Sequence, residues 1–143
     1  RWSAFLDVVR RISSGSQPAY AKLRQLAAIV LFASRRRPAW VKVLVFEIQR
    51  TSRFSEPEQI EAVGRLFRAV ARIVRVGQDA GELRDDLDAN LVCLAFIGAL
   101  ETMITSQVLG VMRLPGESQD ADDRTVRTVV ELFLGGLGRR GRA

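Results

Sequence analysis

Asp85, Asp86 and Asp88, three aspartates within four positions of the segment RDDLDANLV, form a cluster of potential ligands or acids. As oxygen donors they would suit a hard divalent cation. They stand, however, just ahead of a long apolar run that begins at Leu91. There a side-chain oxygen satisfies the first free N–H groups of a helix, and a negative charge suits its positive end. Capping is therefore the reading adopted for them. The chain has no histidine and a single cysteine, Cys93. That composition leaves no structural zinc set, no triad built on a histidine base and no internal disulfide. Cys93 reads as a small buried hydrophobe. No nucleophile stands beside a base at a recognisable spacing, so no enzyme activity, cofactor or metal is expected.

Cationic groups are the second candidate chemistry. Lys and Arg number 22 against 16 Asp and Glu, a formal charge of +6 with a sequence pI near 10.9. A basic balance permits contact with nucleic acid or an anionic ligand but specifies neither. Arg65, Arg68, Arg72 and Arg75 fall on one helical stripe that would suit phosphates. Pairing with Glu58 and Glu61 at helical spacing makes a solvated face the expected reading. Arg35, Arg36 and Arg37 read as a solvated helix terminus.

The elements that position these groups are read from periodicity. The chain of 143 residues, 48% hydrophobic, is one domain of ordinary size. Trp2, Phe5, Val8, Val9 and Ile12 predict a first helix over 1–12, closed by the turn SSGSQP. A second helix spans 18–34 on Tyr20, Leu23, Ala27, Val30 and Leu31. A third spans 38–53 and carries Trp40, Leu44, Phe46, Glu47 and Arg50. The clearest stripe is Ile60, Val63, Phe67, Val70, Val74 and Gly77 in a fourth helix over 58–79, broadened by Leu66 and Ile73. Gly81 supplies its left-handed terminus.

The central helix, 88–112, is apolar on nearly every side, with Glu101 its one ionised side chain beyond Leu91. Such a helix must be covered nearly all round. The rest of the chain is too small for that. Gly98, Ala99 and Thr102 offer a patch where a second backbone can approach, so one face is expected to meet a second copy of the chain. Its length also raises a membrane span. Glu101, Thr102, Thr105, Ser106 and Gln107 on more than one side favour protein neighbours, and no membrane association is expected. A last helix over 122–137 carries Val126, Val129, Val130, Phe133, Leu134 and Leu137, followed by a flexible basic tail over 139–143. The domain reads as all-α, with five or six helices. No continuous apolar leader opens the sequence, and the cytoplasm is the expected compartment.

Three segments together resemble the C-terminal regulatory body of TetR-family transcriptional repressors: SQPAYAKLRQLA, then RRPAWVKVLVFEIQR, then GRLFRAVARIVRVGQDAGELRDDLDANLVCLAFIGALE. The turn GQDAGELRDD followed by FIGALE at the middle of an apolar helix is the most specific part. It and FEIQR are most similar to the family's fatty-acid-responsive members. The resemblance covers about 18–137. It implies an effector-binding and dimerisation domain over 15–138. Residues 1–14 would then end a helix leading from a helix-turn-helix head that has no counterpart in this sequence. Operator DNA would be bound only through that head. The last two long helices would join those of a partner in an intermolecular four-helix bundle, so the expected assembly is a homodimer. Gly98, Ala99, Thr102, Thr105, Val126, Val130, Phe133 and Leu134 are the expected interface. A hydrophobic or acyl-type effector would lie among the second to fifth helices, against Trp40, Leu44, Phe46, Phe67, Val70, Val74, Leu94 and Ile97. Glu47, Gln49 and Arg50 are the nearest polar anchors, with Thr102 or Gln107 from the central helix. The alternative is a helical dimerisation module without a small-molecule ligand, and a third reading is an amphipathic membrane-surface protein.

Overall fold

The computed structural model describes residues 2–37, 39, 57–111 and 119–138. Among them are five α-helices: α1 (Trp2–Ser14), α2 (Ala19–Arg36), α3 (Pro57–Asp79), α4 (Ala89–Leu109) and α5 (Gln119–Leu137). The described residues are thus all-helical, with one isolated antiparallel bridge between Leu83 and Gly138. The helix predicted over 38–53 lies outside the described residues apart from Ala39, and so do the tail over 139–143 and most of the loop after Gly110.

Each helix buries the face that its apolar spacing creates. On α1, Val9 and Ile12 are buried and Phe5 and Val8 pack against the core, turned toward α3. On α2, Leu23, Leu26, Ala27 and Leu31 are buried. On α3 the buried stripe runs Leu66, Val70, Ile73, Val74 and Gly77, while Ile60 near its start is half exposed. The four core side chains of this stripe are each 8% exposed or less. Full burial of an aliphatic side chain contributes ~1.5–3 kcal/mol, so this seam is a principal source of stability.

Two features set how closely α2 and α3 approach. Gly77 faces the start of α2, where a Cβ would lie 2.6 Å from the Ala19 Cβ and 2.8 Å from Leu83 Cδ1. Only a residue without a side chain fits there. Lys22 is 5% exposed, and its ammonium donates to the Ser13 carbonyl at 2.9 Å. A cation is thereby placed at the negative end of α1. The Ser13 hydroxyl in turn donates to the Ala69 carbonyl of α3 at 3.3 Å, so three helices meet at one polar junction.

The connection from α3 to α4 is a tied loop. Gly81, at φ 75°, makes the left-handed turn, and the Glu82 N–H closes on the Gly77 carbonyl at 2.9 Å. The Glu82 carboxylate accepts the N–H of Ala19 at 2.8 Å, filling one of the unpaired donors that begin α2. Gln78 donates to the carbonyls of Arg84 and Leu87 at 2.9 and 2.7 Å. The Arg84 N–H donates to the Leu137 carbonyl at 2.9 Å, and its guanidinium to Gly136 at 3.1 Å, so the loop also holds the end of α5. That last helix packs chiefly on α2 and buries Val126, Val129, Val130 and Leu137.

Candidate functional site: an apolar cavity and an open stripe on one helix

The site is built on α4. Asp88 begins the helix, accepting the Leu91 N–H at 2.9 Å, and Gly110 ends it at φ 67°. Asp86 is instead engaged by Arg84 through two hydrogen bonds of 2.7 and 2.9 Å, and Asp85 is exposed. The three aspartates therefore do not converge on a point. Among the described residues no cluster of three His, Cys, Asp or Glu is placed to hold a metal.

Between its caps α4 divides into three faces. Cys93, Phe96, Leu100 and Ile104, at steps of three and four, are buried toward α3. Ile97 and Glu101 form a second edge. Leu91, Ala95, Gly98, Thr102, Thr105 and Leu109 follow one another at alternating steps of four and three and form the third. That is one helical stripe, and four of its six members, Leu91, Ala95, Thr102 and Leu109, are exposed.

The first two faces border a cavity of about 60 Å³. Phe5 and Val9 of α1, Leu26 and Val30 of α2, and Leu66 and Val70 of α3 supply its other walls. Phe96, Ile97, Leu100, Glu101 and Ile104 complete it from α4. Glu101 is the only polar residue among the described residues that line it, and because the lining surface is wholly apolar it contributes its hydrocarbon stem rather than its carboxylate. It has no hydrogen-bond or ion-pair partner among the described residues. The arrangement can accept a small apolar group.

The outward stripe has different chemistry. A Cβ built on Gly98 meets nothing within 4 Å, so this part of α4 faces open space. Leu91 is 66% and Leu109 64% exposed, and Val111 beyond the cap is 72% exposed. α4 is also long and apolar enough to cross a membrane by length and composition alone. Only 22% of that apolar window is buried within the chain, by the row Cys93, Phe96, Leu100 and Ile104.

Of the residues assigned to a pocket from sequence, Val70 and Ile97 line this cavity. Val74 is fully buried in the core beside it, and Phe67 is half-buried, its carbonyl accepting the Cys93 thiol at 3.2 Å. Leu94 is 52% exposed, away from the cavity. Trp40, Leu44, Phe46, Glu47, Gln49 and Arg50 lie outside the described residues. Gln107 is half-buried, with its Oε1 unpaired among the described residues. Of the seam residues, Gly98, Thr102 and Thr105 share the open stripe, with Ala99 half-buried beside it. Val126 and Val130 are only 6% and 1% exposed in the single chain, already spent on its core. Phe133 is half-buried, its ring edge-to-face with Phe96 at 5.4 Å. Leu134 lies in α5, but its side chain is outside the described set.

Walls from α1 and α2, and Glu101 itself, were not among the pocket residues expected. A signal for Glu101 was present, since it is the sole ionised side chain between Leu91 and Met112 and stands four residues after Ile97. The remaining charged groups are dispersed. Glu61 pairs with Arg68 at 2.6 Å and with Arg65 at 3.7 Å on the exposed side of α3, and Arg75 donates to Asn90 at 3.3 Å. Arg36 lies over the Phe32 ring at 4.5 Å. Burial pushes the Cys93 thiol up to about 11, so it remains protonated and unreactive at neutral pH. No protein-family model and no curated protein matches the chain.

Proposed function

We propose that this chain is the effector-binding and dimerisation body of a TetR-like transcriptional regulator, with a small hydrophobic molecule as its effector. The observation that carries the proposal is the division of α4. One edge of this helix borders a cavity, while another carries an unpartnered stripe of small and apolar residues. A helix so divided links the occupancy of a site to the geometry of a seam. The residue pattern from GQDAGELRDD through FIGALE supports the same reading.

In this reading two copies meet across Leu91, Gly98, Thr102 and Leu109, with Phe133 at the edge of a four-helix arrangement of α4 and α5. Operator DNA is contacted by a helix-turn-helix head preceding α1, in the cytoplasm. α1 supplies Phe5 and Val9 to the cavity wall. An occupant there acts directly on the helix that would carry the head. Its differential affinity for two settings of α1 lowers DNA affinity by linkage, because the head-to-head spacing must match successive major grooves. The modest cavity volume favours one other reading, a helical dimerisation module that holds no small molecule.

Sedimentation velocity of the wild-type chain and of Gly98→Glu tests the seam. The expected outcome is a wild-type dimer at micromolar concentration and a folded monomer for the variant, since a side chain begun at Gly98 meets none of the described residues within 4 Å. A wild-type monomer, or a variant dimer of unchanged affinity, overturns the assignment.

A further inference from the structure

We infer that the outward stripe of α4 pairs antiparallel with the same stripe of a second copy, on a two-fold axis that crosses the helix at the level of Leu100. The inference rests on the dimer reading above and adds its orientation and register. The stripe reads Leu91, Ala95, Gly98, Thr102, Thr105 and Leu109, and its members fall in pairs equidistant from Leu100 along the chain. Leu91 and Leu109 stand nine residues to either side, Ala95 and Thr105 five, and Gly98 and Thr102 two. The two large side chains are thus at the ends, 66% and 64% exposed, and the smaller ones lie between them. In a two-fold contact every residue pair recurs in reverse, so this symmetric spacing is self-complementary.

Side-chain size selects the direction. Run antiparallel, the stripe sets leucine on leucine at both ends, and Ala95 and Gly98 each on a threonine. Every middle layer then joins a small residue to a medium one, and the two backbones stay evenly spaced, as close packing requires. Run parallel, every residue would meet its own copy. The alanine and glycine layers would leave a gap beside the two threonine layers, and the helices would have to splay. Opposed macrodipoles favour the antiparallel pair as well. A Cβ at Gly98 meets none of the described residues within 4 Å, so a second backbone has room to approach. The alternating steps of four and three are the seam geometry of nearly aligned helices. The axis lies in the plane of the seam, so the edge of α4 that carries Ile97 and Glu101 falls on the same side in both copies. The cavities behind it, and α1 with them, do the same. In the regulator reading both heads then approach a duplex from one side.

Disulfide trapping in the full chain tests the register. Ala95→Cys and Thr105→Cys are made separately, two replacements that hardly change side-chain size. Each is oxidised alone and as an equilibrated equal mixture. Linked dimer is read by mass spectrometry without reductant, beside sedimentation of every sample. The native Cys93 is 2% exposed and should stay silent, which the wild-type chain checks. The expected result is roughly tenfold more linked dimer in the mixture than in either variant alone, because only the mixed pair brings two Cβ atoms within disulfide reach. Links in each variant alone, with no gain on mixing, would show a parallel pair and overturn the register while the dimer reading stands. A sedimenting dimer without links in any sample would put the contact on another face and overturn the register too. Monomers throughout, the wild type included, would overturn the register and the dimer reading together.

Discussion

α3 and α4 lie side by side, are nearly equal in length and together provide much of the core, yet they relate to water in opposite ways. α3 is amphipathic. Its Val70, Ile73 and Val74 are buried, and its arginines point outward, where Glu61 pairs with two of them. α4 buries Cys93, Phe96, Leu100 and Ile104, but its opposite side is again apolar or small, with Leu91, Gly98 and Leu109 facing outward. A helix whose outer face is charged is complete once one layer covers it. A helix whose outer face is not charged has a second layer still to meet. In the regulator proposed above, that second layer is a second copy of the chain.

Substitutions on the two sides of α4 probe that contrast most strongly. Phe96, 2% exposed and edge-to-face with Phe133, anchors the inner side. Phe96→Ala should cost ~3–5 kcal/mol, read as a lowered urea midpoint. Leu91→Ala on the outer stripe should cost the isolated chain under ~0.5 kcal/mol. Equal losses at both sites would mean that the outer stripe is packed within the chain, and the contrast would fail.

A smaller effect comes from the thiol on the inner side. Cys93 titrates near 9 when unfolded and near 11 when folded, because burial opposes the thiolate. The unfolded chain therefore loses its proton first as pH rises. The stability contributed by the neutral thiol is complete below about pH 9 and declines as pH climbs through 11. Denaturation of the wild type and Cys93→Ala at pH 8 and 10.5 should show the wild type losing more of its stability over that interval. Parallel losses would remove the thiol from the buried side.

The smallest effect belongs to the outer face of α3. Glu61→Gln removes two exposed ion pairs, with Arg65 and Arg68, and should cost less than ~1 kcal/mol, shrinking further in high salt. A loss of several kcal/mol would show that this face is not simply solvated.

The five described helices were legible from the sequence because each repeats its apolar residues at helical spacing and ends on a residue of known habit. Asp88 as cap and Gly81 as left-handed terminus are cases in point. The cavity was less legible. Val70 and Ile97 were assigned to it, but Phe5, Val9, Leu26 and Val30 enter its wall only because α1 and α2 fold across α3 and α4. No period in the chain records that apposition. Val126 and Val130 illustrate the converse. A stripe of valines has the same spacing whether it meets its own α2 or a partner's helix, and here the single chain buries it. Glu101 stood out as a lone charge, but its position beside hydrocarbon came from the fold.

The loop from Ala80 to Asp88 carries a practical consequence for anyone building on this scaffold. A surface loop between two long helices is ordinarily where a reporter or an affinity tag is spliced in. This one holds Ala19 through Glu82 and Leu137 through Arg84, so it fastens the beginning of one helix and the end of another. Tolerance to insertion follows the hydrogen bonding of the backbone that is cut, not its visibility from solvent. An insert placed here would unfasten both helices at once, so a site for cargo should be sought elsewhere on the chain.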